Sequence, residues 1–376
     1  MKKIAFYTLG CRANQYETDV LKRQFPDCEI VEPFKEKADV IVINSCVVTH
    51  DAERKSRQAI RRALREAKEV YLTGCYSKLN KVTIDGVKIL EKKEWKNAKT
   101  SRVRANLMIE NGCENFCAYC IVPYVRGKIR SRNPKDVLCE AQEMVKNGAR
   151  EIVLTGINLG AYQHSLMGLI KELAKIKELL RIRLSSIEPM YVTDELIETV
   201  AKTPKACRFF HIPLQCGDDQ LLKSMGRIYT AKEYINIIHK IRKAISECGI
   251  STDIIVGLPG EDEKAFNNTV KLVNELKFSN MHLFPYSKRN GTRAATMPNQ
   301  VYPKIIKRRM LKLQKLKEKY SNQFRNKYIG KEVEILVEQP GEGLTDNFIR
   351  VRFKDIKNRT GKIKKIPLYS NSISNQ

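Results

Sequence analysis

Apolar and polar positions along this chain alternate between two rhythms. The short runs Ile4-Ala5-Phe6-Tyr7-Thr8-Leu9, Val40-Ile41-Val42-Ile43-Asn44 and Val70-Tyr71-Leu72-Thr73-Gly74 are apolar and rich in strand-forming residues. Helix-like stretches separate them, so the order β-α-β-α-β predicts a parallel sheet. Each run reaches a turn-prone residue and then a cysteine: Cys11, Cys46 and Cys75. In a parallel sheet the strand C-termini share one edge, so these three residues are expected to converge although they are remote in sequence. Any one of them alone reads as a buried cysteine, which is how Cys28, Cys139, Cys207, Cys216 and Cys248 are read.

From about 80 to 104 the chain is charged and poorly periodic, and reads as a linker. Strand–helix alternation then resumes. Strands are expected at Asn106–Glu110, Glu151–Leu154, Arg181–Ser185, Phe209–Ile212, Thr252–Val256 and Asn280–Phe284. Helices are expected at Pro134–Asn147, Leu166–Lys177, Thr193–Lys202, Asp218–Met225, Ala231–Glu247 and Glu263–Leu276. Six such repeats suggest a partial, open TIM-like barrel, with its chemistry at the strand C-terminal ends. A Lys-rich helix follows from about Tyr302 to Asn326. Beyond it Glu332–Glu338 and Asn347–Phe353 alternate, separated by Pro340-Gly341-Glu342-Gly343, and a third strand is expected in Gly361–Ile366. This tail reads as a small antiparallel barrel, and the last ten residues as disordered. The division is 1–100, 101–325 and 326–376.

Composition narrows the class. An apolar fraction of 42% supports a sizeable core in 376 residues. No run approaches the roughly 18 apolar residues of a membrane span, so no membrane partner is expected. The chain opens directly on a strand and is read as lacking a signal peptide. Eleven cysteines then point to metal ligation in a reducing, cytoplasmic setting rather than to disulfides. The net charge is +27, from 69 Lys and Arg against 42 Asp and Glu, which favours a polyanion such as nucleic acid. Part of the excess also fits a lysine-rich compositional bias. Between Arg54 and Lys68 basic residues face away from the stripe Ala59, Ile60, Ala63, Leu64 and Ala67. Arg126, Lys128, Arg130 and Arg132, and then Lys288, Arg289 and Arg293, extend the basic rim. Arg350 and Arg352 share a face of the tail, which fits either an RNA-binding surface or a solvated one.

The densest chemistry lies at Cys113, Cys117 and Cys120. Their C-x3-C-x2-C spacing puts three thiolates on one tight loop, after the first barrel strand. A [4Fe–4S] cluster on three thiolates keeps one iron open for a small molecule, whereas structural sites are normally closed by four ligands. A zinc site completed by a distant histidine, or inert core cysteines, are the alternatives.

The motif resembles the cluster loop of radical S-adenosylmethionine (SAM) enzymes, and Tyr119 stands where that family packs the SAM adenine. The strand-end cysteines resemble the N-terminal domain of methylthiotransferases, and the tail resembles their RNA-binding TRAM domain. Thr8-Leu9-Gly10-Cys11-Arg12-Ala13-Asn14-Gln15-Tyr16-Glu17-Thr18 looks like the branch acting on N6-threonylcarbamoyladenosine (t6A) at position 37 of tRNA. Asn44-Ser45-Cys46-Val47-Val48-Thr49, Leu184-Ser185-Ser186-Ile187-Glu188-Pro189 and Phe284-Pro285-Tyr286-Ser287-Lys288-Arg289 agree. The resemblance covers nearly the whole chain. Three departures stand out: a short stretch between Cys75 and Cys113, Cys216 where serine is usual, and a short tail.

The resemblance implies an α/β fold: an N-terminal parallel-sheet cluster domain, a partial (β/α)6 TIM-like radical SAM barrel and a TRAM-like barrel. It implies two [4Fe–4S] clusters, on Cys113, Cys117 and Cys120 and on Cys11, Cys46 and Cys75. The first would chelate SAM and, given one electron, cleave it to methionine and a 5′-deoxyadenosyl radical. The second would carry the sulfur, to be methylated by a second SAM and delivered to C2 of adenine. Aromatic C2–H has no acidic proton, so a cofactor radical must do the hard step. Gly156 and Asn158 would meet the SAM amino group, Glu188 the ribose, and Asp253–Gly257 would lie beside adenine. A βα-turn glycine, a capping acid and a buried strand are the bland readings of these three. The implied partners are tRNA and an electron donor such as flavodoxin or ferredoxin. Rival readings are a methylthiotransferase for isopentenyladenosine-37 tRNA or a ribosomal protein, a one-cluster SAM methylase, and a non-enzymatic iron–sulfur or zinc RNA-binding protein.

Overall fold

The computed structural model describes residues 1–79, 84–91, 98, 100–354, 360–369 and 372. The N-terminal unit contains β1 (Lys2–Thr8), α1 (Arg12–Leu21), β2 (Cys28–Val31), β3 (Val40–Ser45), α2 (His50–Glu66), β4 (Glu69–Gly74) and β5 (Val87–Ile89). Its strands form one parallel sheet in the order β2-β1-β3-β4-β5. The three expected strands are the central ones. Cys28–Val31 and Val87–Ile89 extend the sheet at its edges, and the second of these corrects the expected linker. Both edge strands are short and largely exposed, so neither carries the buried apolar run by which a central strand is recognised. Thr8 pairs with Asn44, and Ser45 with Gly74, so the ends of β1, β3 and β4 are level.

The sheet has a core on each face. Ala59, Ile60 and Ala63 of α2 cover Ile41, Ile43 and Leu72, while Thr49 caps the helix by accepting from the Ala52 amide. Leu64 is 37% exposed, at the edge of the stripe expected to be buried. Ala13, Tyr16 and Val20 of α1 instead join the core of the second unit. Helix α1 therefore binds the two units together.

That second unit begins with β6 (Arg104–Met108) and β7 (Glu110–Asn111). It continues through α3 (Val122–Arg126), β8 (Arg130–Ser131), α4 (Pro134–Lys146), β9 (Glu151–Thr155), α5 (Leu166–Ala174), β10 (Arg181–Leu184), α6 (Asp194–Lys202) and β11 (Phe209–His211). It closes with α7 (Asp219–Ser224), α8 (Ala231–Ala244), β12 (Gly249–Val256), α9 (Glu263–Leu276), β13 (Asn280–Pro285) and α10 (Pro303–Asn326). Parallel triplets β6-β9-β10 and β11-β12-β13 are joined by bridges from Ile182 to Ala206 and from Ser186 to His211. The result is the expected open arc of six parallel strands. The antiparallel β7–β8 ladder closes the base of the cysteine loop.

The tail forms an antiparallel sheet, β16-β15-β14-β17, from β14 (Glu332–Gln339), β15 (Glu342–Thr345), β16 (Arg350–Arg352) and β17 (Ile363–Pro367). Strand β15 was expected as part of a separating turn; only Pro340-Gly341 turns, and Glu342 and Gly343 already pair with Arg352 and Val351. Among the described residues no pairing closes the expected barrel. The expected disorder of the last ten residues does not extend to Pro367 and Leu368, since Leu368 is buried; 370, 371 and 373–376 lie outside the described residues. The 345–349 loop docks on the strand N-terminal end of the arc. Phe348 stacks on Phe209 at 4.5 Å, and Arg183 donates to the Thr345 and Asp346 carbonyls. Among the described residues no helix is long and apolar enough to cross a membrane.

Candidate functional site

The level strand ends do what the sequence pattern requires. Cys46 follows β3, Cys75 follows β4 and Cys11 caps α1 just past β1. Gly10 has φ +94°, and a Cβ there would lie 3.0 Å from Cys46 Sγ, so only glycine lets the first cysteine turn come this close to the second. Burial pushes the Cys46 thiol to about 11, with Cys75 and Cys11 adding to the rise, and burial also raises Cys75.

The other triad lies on the adjoining loop. Cys113, Cys117 and Cys120 share the loop between β7 and α3, held by hydrogen bonds from the Cys113 amide to Gly127 O and from Ala118 N to Met225 O. Burial pushes the Cys113 thiol to about 11 and Cys120 to about 12. Val47, Cys75, Ile121 and Val125 form one apolar cluster, so the second triad's loop packs directly on the first triad's sheet edge. A cavity of about 220 Å³ opens there, lined by Thr49, Tyr119, Cys120, Gln215, Asp253 and Ile255 among others.

Two arginines hold this junction, one misplaced by the sequence reading and one not singled out by it. Arg126 was expected on a basic rim but is 4% exposed. Its guanidinium pairs with Glu17 at 2.6 Å, bonds Asn14, and reaches the Cys75 sulfur. Arg132 and Arg289 are likewise buried, paired with Glu140 and Glu53. Lys128, Arg130, Lys288 and Arg293 remain exposed. Arg227 donates to Cys117 Sγ at 3.1 Å and pairs with Glu188. Burial disfavours its charge, but Tyr119 and Glu188 outweigh that and raise its pKa. Only its position after α7 marks it in sequence.

Gly156 and Asn158 follow β9, and Glu188 follows β10. A Cβ on Gly156 would fall 2.6 Å from Glu110 Oε2, so the turn closes on that carboxylate. Glu110 accepts from the Asn158 amide at 2.7 Å, and burial pushes its pKa to about 7. Asn158 is 3% exposed, and neither its side-chain oxygen nor its nitrogen has a partner among the described residues. Tyr119 lines the cavity, and Glu188 meets the Cys117 loop through Arg227 rather than directly. In the tail, Arg350 is committed to Glu338 and Glu342, while Arg352 is exposed.

The chain matches two family models: the Radical SAM superfamily over residues 107–273 and Uncharacterized protein family UPF0004 over residues 3–93. It is 36% identical to the threonylcarbamoyladenosine tRNA methylthiotransferase MtaB of Bacillus subtilis, covering 98% of this chain and 94% of that one. The MtaB of Aquifex aeolicus is 34% identical over 97% and 99% of the two chains. A tRNA-2-methylthio-N(6)-dimethylallyladenosine synthase of Desulfitobacterium hafniense is also 34% identical, over 92% and 88%. Among solved structures, the radical SAM methyltransferase TsrM of Kitasatospora setae shares the fold with a TM-score of 0.56 at 12% identity, over 78% of this chain and 77% of that one. Two cysteine triads on adjoining elements, an open arc of six strands and methylthiotransferase relatives over nearly the full length, MtaB among them, agree: the chain belongs to the radical SAM methylthiotransferase family, on its MtaB-like branch.

Proposed function

We propose that this chain adds a methylthio group to C2 of N6-threonylcarbamoyladenosine at position 37 of tRNA, using SAM and two [4Fe–4S] clusters. One observation carries the reading. Cys75, at the sheet edge that also carries Cys11 and Cys46, packs against Ile121 and Val125, which directly follow Cys113, Cys117 and Cys120 in the chain, and Arg126 lies at the same contact.

The donor chemistry fits the implied groups. Each triad offers three thiolates, which leaves one iron of a cluster open. Burial keeps several of these thiols protonated, and a bound metal reverses that bias. The unpartnered amide of Asn158, beside Glu110, fits the polar end of a small molecule. When bound, the clusters and SAM supply the radical and sulfur chemistry that an unactivated aromatic C–H requires.

The chain's own side chains bind and orient. Tyr119 and Ile255 give an apolar wall for an adenine ring. Asn158 and the Gly156 turn hold the amino-acid end of SAM. Arg227 fixes Glu188 for the ribose and donates to the Cys117 sulfur, countering thiolate charge. Arg126 locks α1 against the cysteine loop. Lys128, Lys288 and the outer face of α2 meet tRNA phosphates, and a flavodoxin- or ferredoxin-like protein in the cytoplasm delivers electrons. The dimethylallyladenosine relative supports a second reading, in which the tRNA substrate carries that hydrocarbon group.

The test is a pair of variants of the reconstituted enzyme. Cys11→Ala should keep SAM cleavage and lose methylthiolation, whereas Cys117→Ala should lose both. Full methylthiolated product from Cys11→Ala would contradict the sulfur-carrying role.

A further inference from the structure

Three adjacent strands of the arc carry a polar cluster, half-buried at His211 and Asp253 and exposed at His282. His211 on β11, Asp253 on β12 and His282 on β13 lie on adjacent strands, with one ring-nitrogen or carboxylate-oxygen atom from each within 4.8 Å of the others. His211 Nε2 is 3.1 Å from an Asp253 oxygen, and its Nδ1 is 2.6 Å from Ser251 Oγ. The rings of His211 and His282 are 5.4 Å apart. Asp253 also lines the cavity beside Tyr119 and Cys120, so the cluster borders the candidate site.

Arg12 of the N-terminal unit reaches the arc at its first strand. It follows Cys11 at the start of α1, and its Nη1 donates to Asn106 Oδ1 on β6 at 3.4 Å. It acts electrostatically on His282. Among the described residues it has no carboxylate partner. The acids that act on it from further away are already committed, Glu151 to Arg183 at 2.6 Å and Glu338 to Arg104 at 3.0 Å. Arg12 is only partly exposed, and the forked donors of its guanidinium match a carboxylate.

A threonylcarbamoyl group supplies what is missing. It carries a free carboxylate, a hydroxyl and urea N–H groups, whereas a dimethylallyl group offers only hydrocarbon. We propose that Arg12 binds the carboxylate of the threonylcarbamoyl substituent, with His282 beside it and Asp253 accepting from the urea N–H. The cluster thereby selects a carboxylate-bearing adenosine. This rests on the function proposed above and names the residues that set its specificity.

The test uses cluster-loaded enzyme and two synthetic anticodon stem-loops, one with t6A and one with plain adenosine at the same position. Wild type should prefer the t6A form by about tenfold or more, the range of a charge-assisted hydrogen bond. Arg12→Gln should bring the two affinities together, and Arg12→Lys should keep part of the preference. Iron content per chain reports whether the neighbouring Cys11 survives as a ligand, since a purely structural role would lower iron and weaken both RNAs alike. A preference retained in Arg12→Gln overturns this proposal alone. No preference in wild type overturns the t6A reading together with it. Zinc held by the loaded enzyme and lost in His282→Ala would make the cluster a metal centre and also overturn it.

Discussion

Arg126, Arg227 and Glu110 are the residues that turn two cysteine patterns into one site. Each arginine is buried at the junction with a carboxylate partner, Glu17 or Glu188, so its charge is compensated where an isolated one would not be tolerated. Glu110 has no ion pair among the described residues; it accepts backbone N–H groups, and burial, only partly offset by the charge of Arg126, pushes its pKa up to about 7. An unfolded glutamate ionises near 4.3. Below about pH 4 the side chain is neutral in both states, and Glu110→Gln should not change stability. Between about pH 4 and 7 the unfolded wild type ionises first, so wild type loses stability relative to Gln, by on the order of 3–4 kcal/mol, and the difference is constant above that. Thermal unfolding of both proteins from pH 4 to 8 checks this; a Gln variant equal to wild type at pH 8 contradicts it. The cysteines were legible because spacing and strand periodicity are local. The arginines were not, because Arg126 and Arg132 sit in a basic run that reads like a surface, and only the fold brings Glu17 and Glu140 to them.

Elements set the directions of these side chains. Strands of alternating burial or continuous apolar character were found close to where periodicity predicts them, because their side chains face a core. Strand β5 and strand β15 were missed for opposite reasons: the first is exposed, and the second begins in a Gly-containing turn sequence. Helix α2 combines both signals, an apolar stripe and a basic face. Its N-terminal turn is tied to the far side of the cavity, where the His50 amide donates to Ser287 Oγ at 2.9 Å and Arg289 pairs with Glu53. Much of its charge is spent internally: Arg54 and Lys55 pair with Asp51, Arg57 with Glu53 and Arg62 with Glu66. Arg61 and Arg65 carry no ion pair among the described residues. Arg61→Glu with Arg65→Glu should therefore weaken tRNA binding. It should also lower the slope of log affinity against log salt by about 0.7 per lost phosphate contact. Titrations at several salt concentrations measure this, and an unchanged slope removes α2 from the RNA surface.

At the scale of the whole molecule, the N-terminal sheet joins the arc at its strand C-terminal end and the tail sheet at the opposite end. Helix α1 shares its core with the arc, and the tail is pinned beneath it by Arg181, Arg183 and Phe348. The tail thus covers the end of the arc opposite the cysteines, a placement that alternation within its strands could not reveal. Two clusters in one chain predict about eight irons after anaerobic reconstitution, falling to about four in Cys11→Ala; four in wild type contradicts the second cluster. The most direct test of the central claim is mass spectrometry of nucleosides in tRNA from a strain lacking this gene, with and without complementation. The account predicts that 2-methylthio-N6-threonylcarbamoyladenosine disappears and returns while the 2-methylthio-isopentenyl nucleoside is untouched. Loss of the isopentenyl product instead, or no change in either, would contradict it.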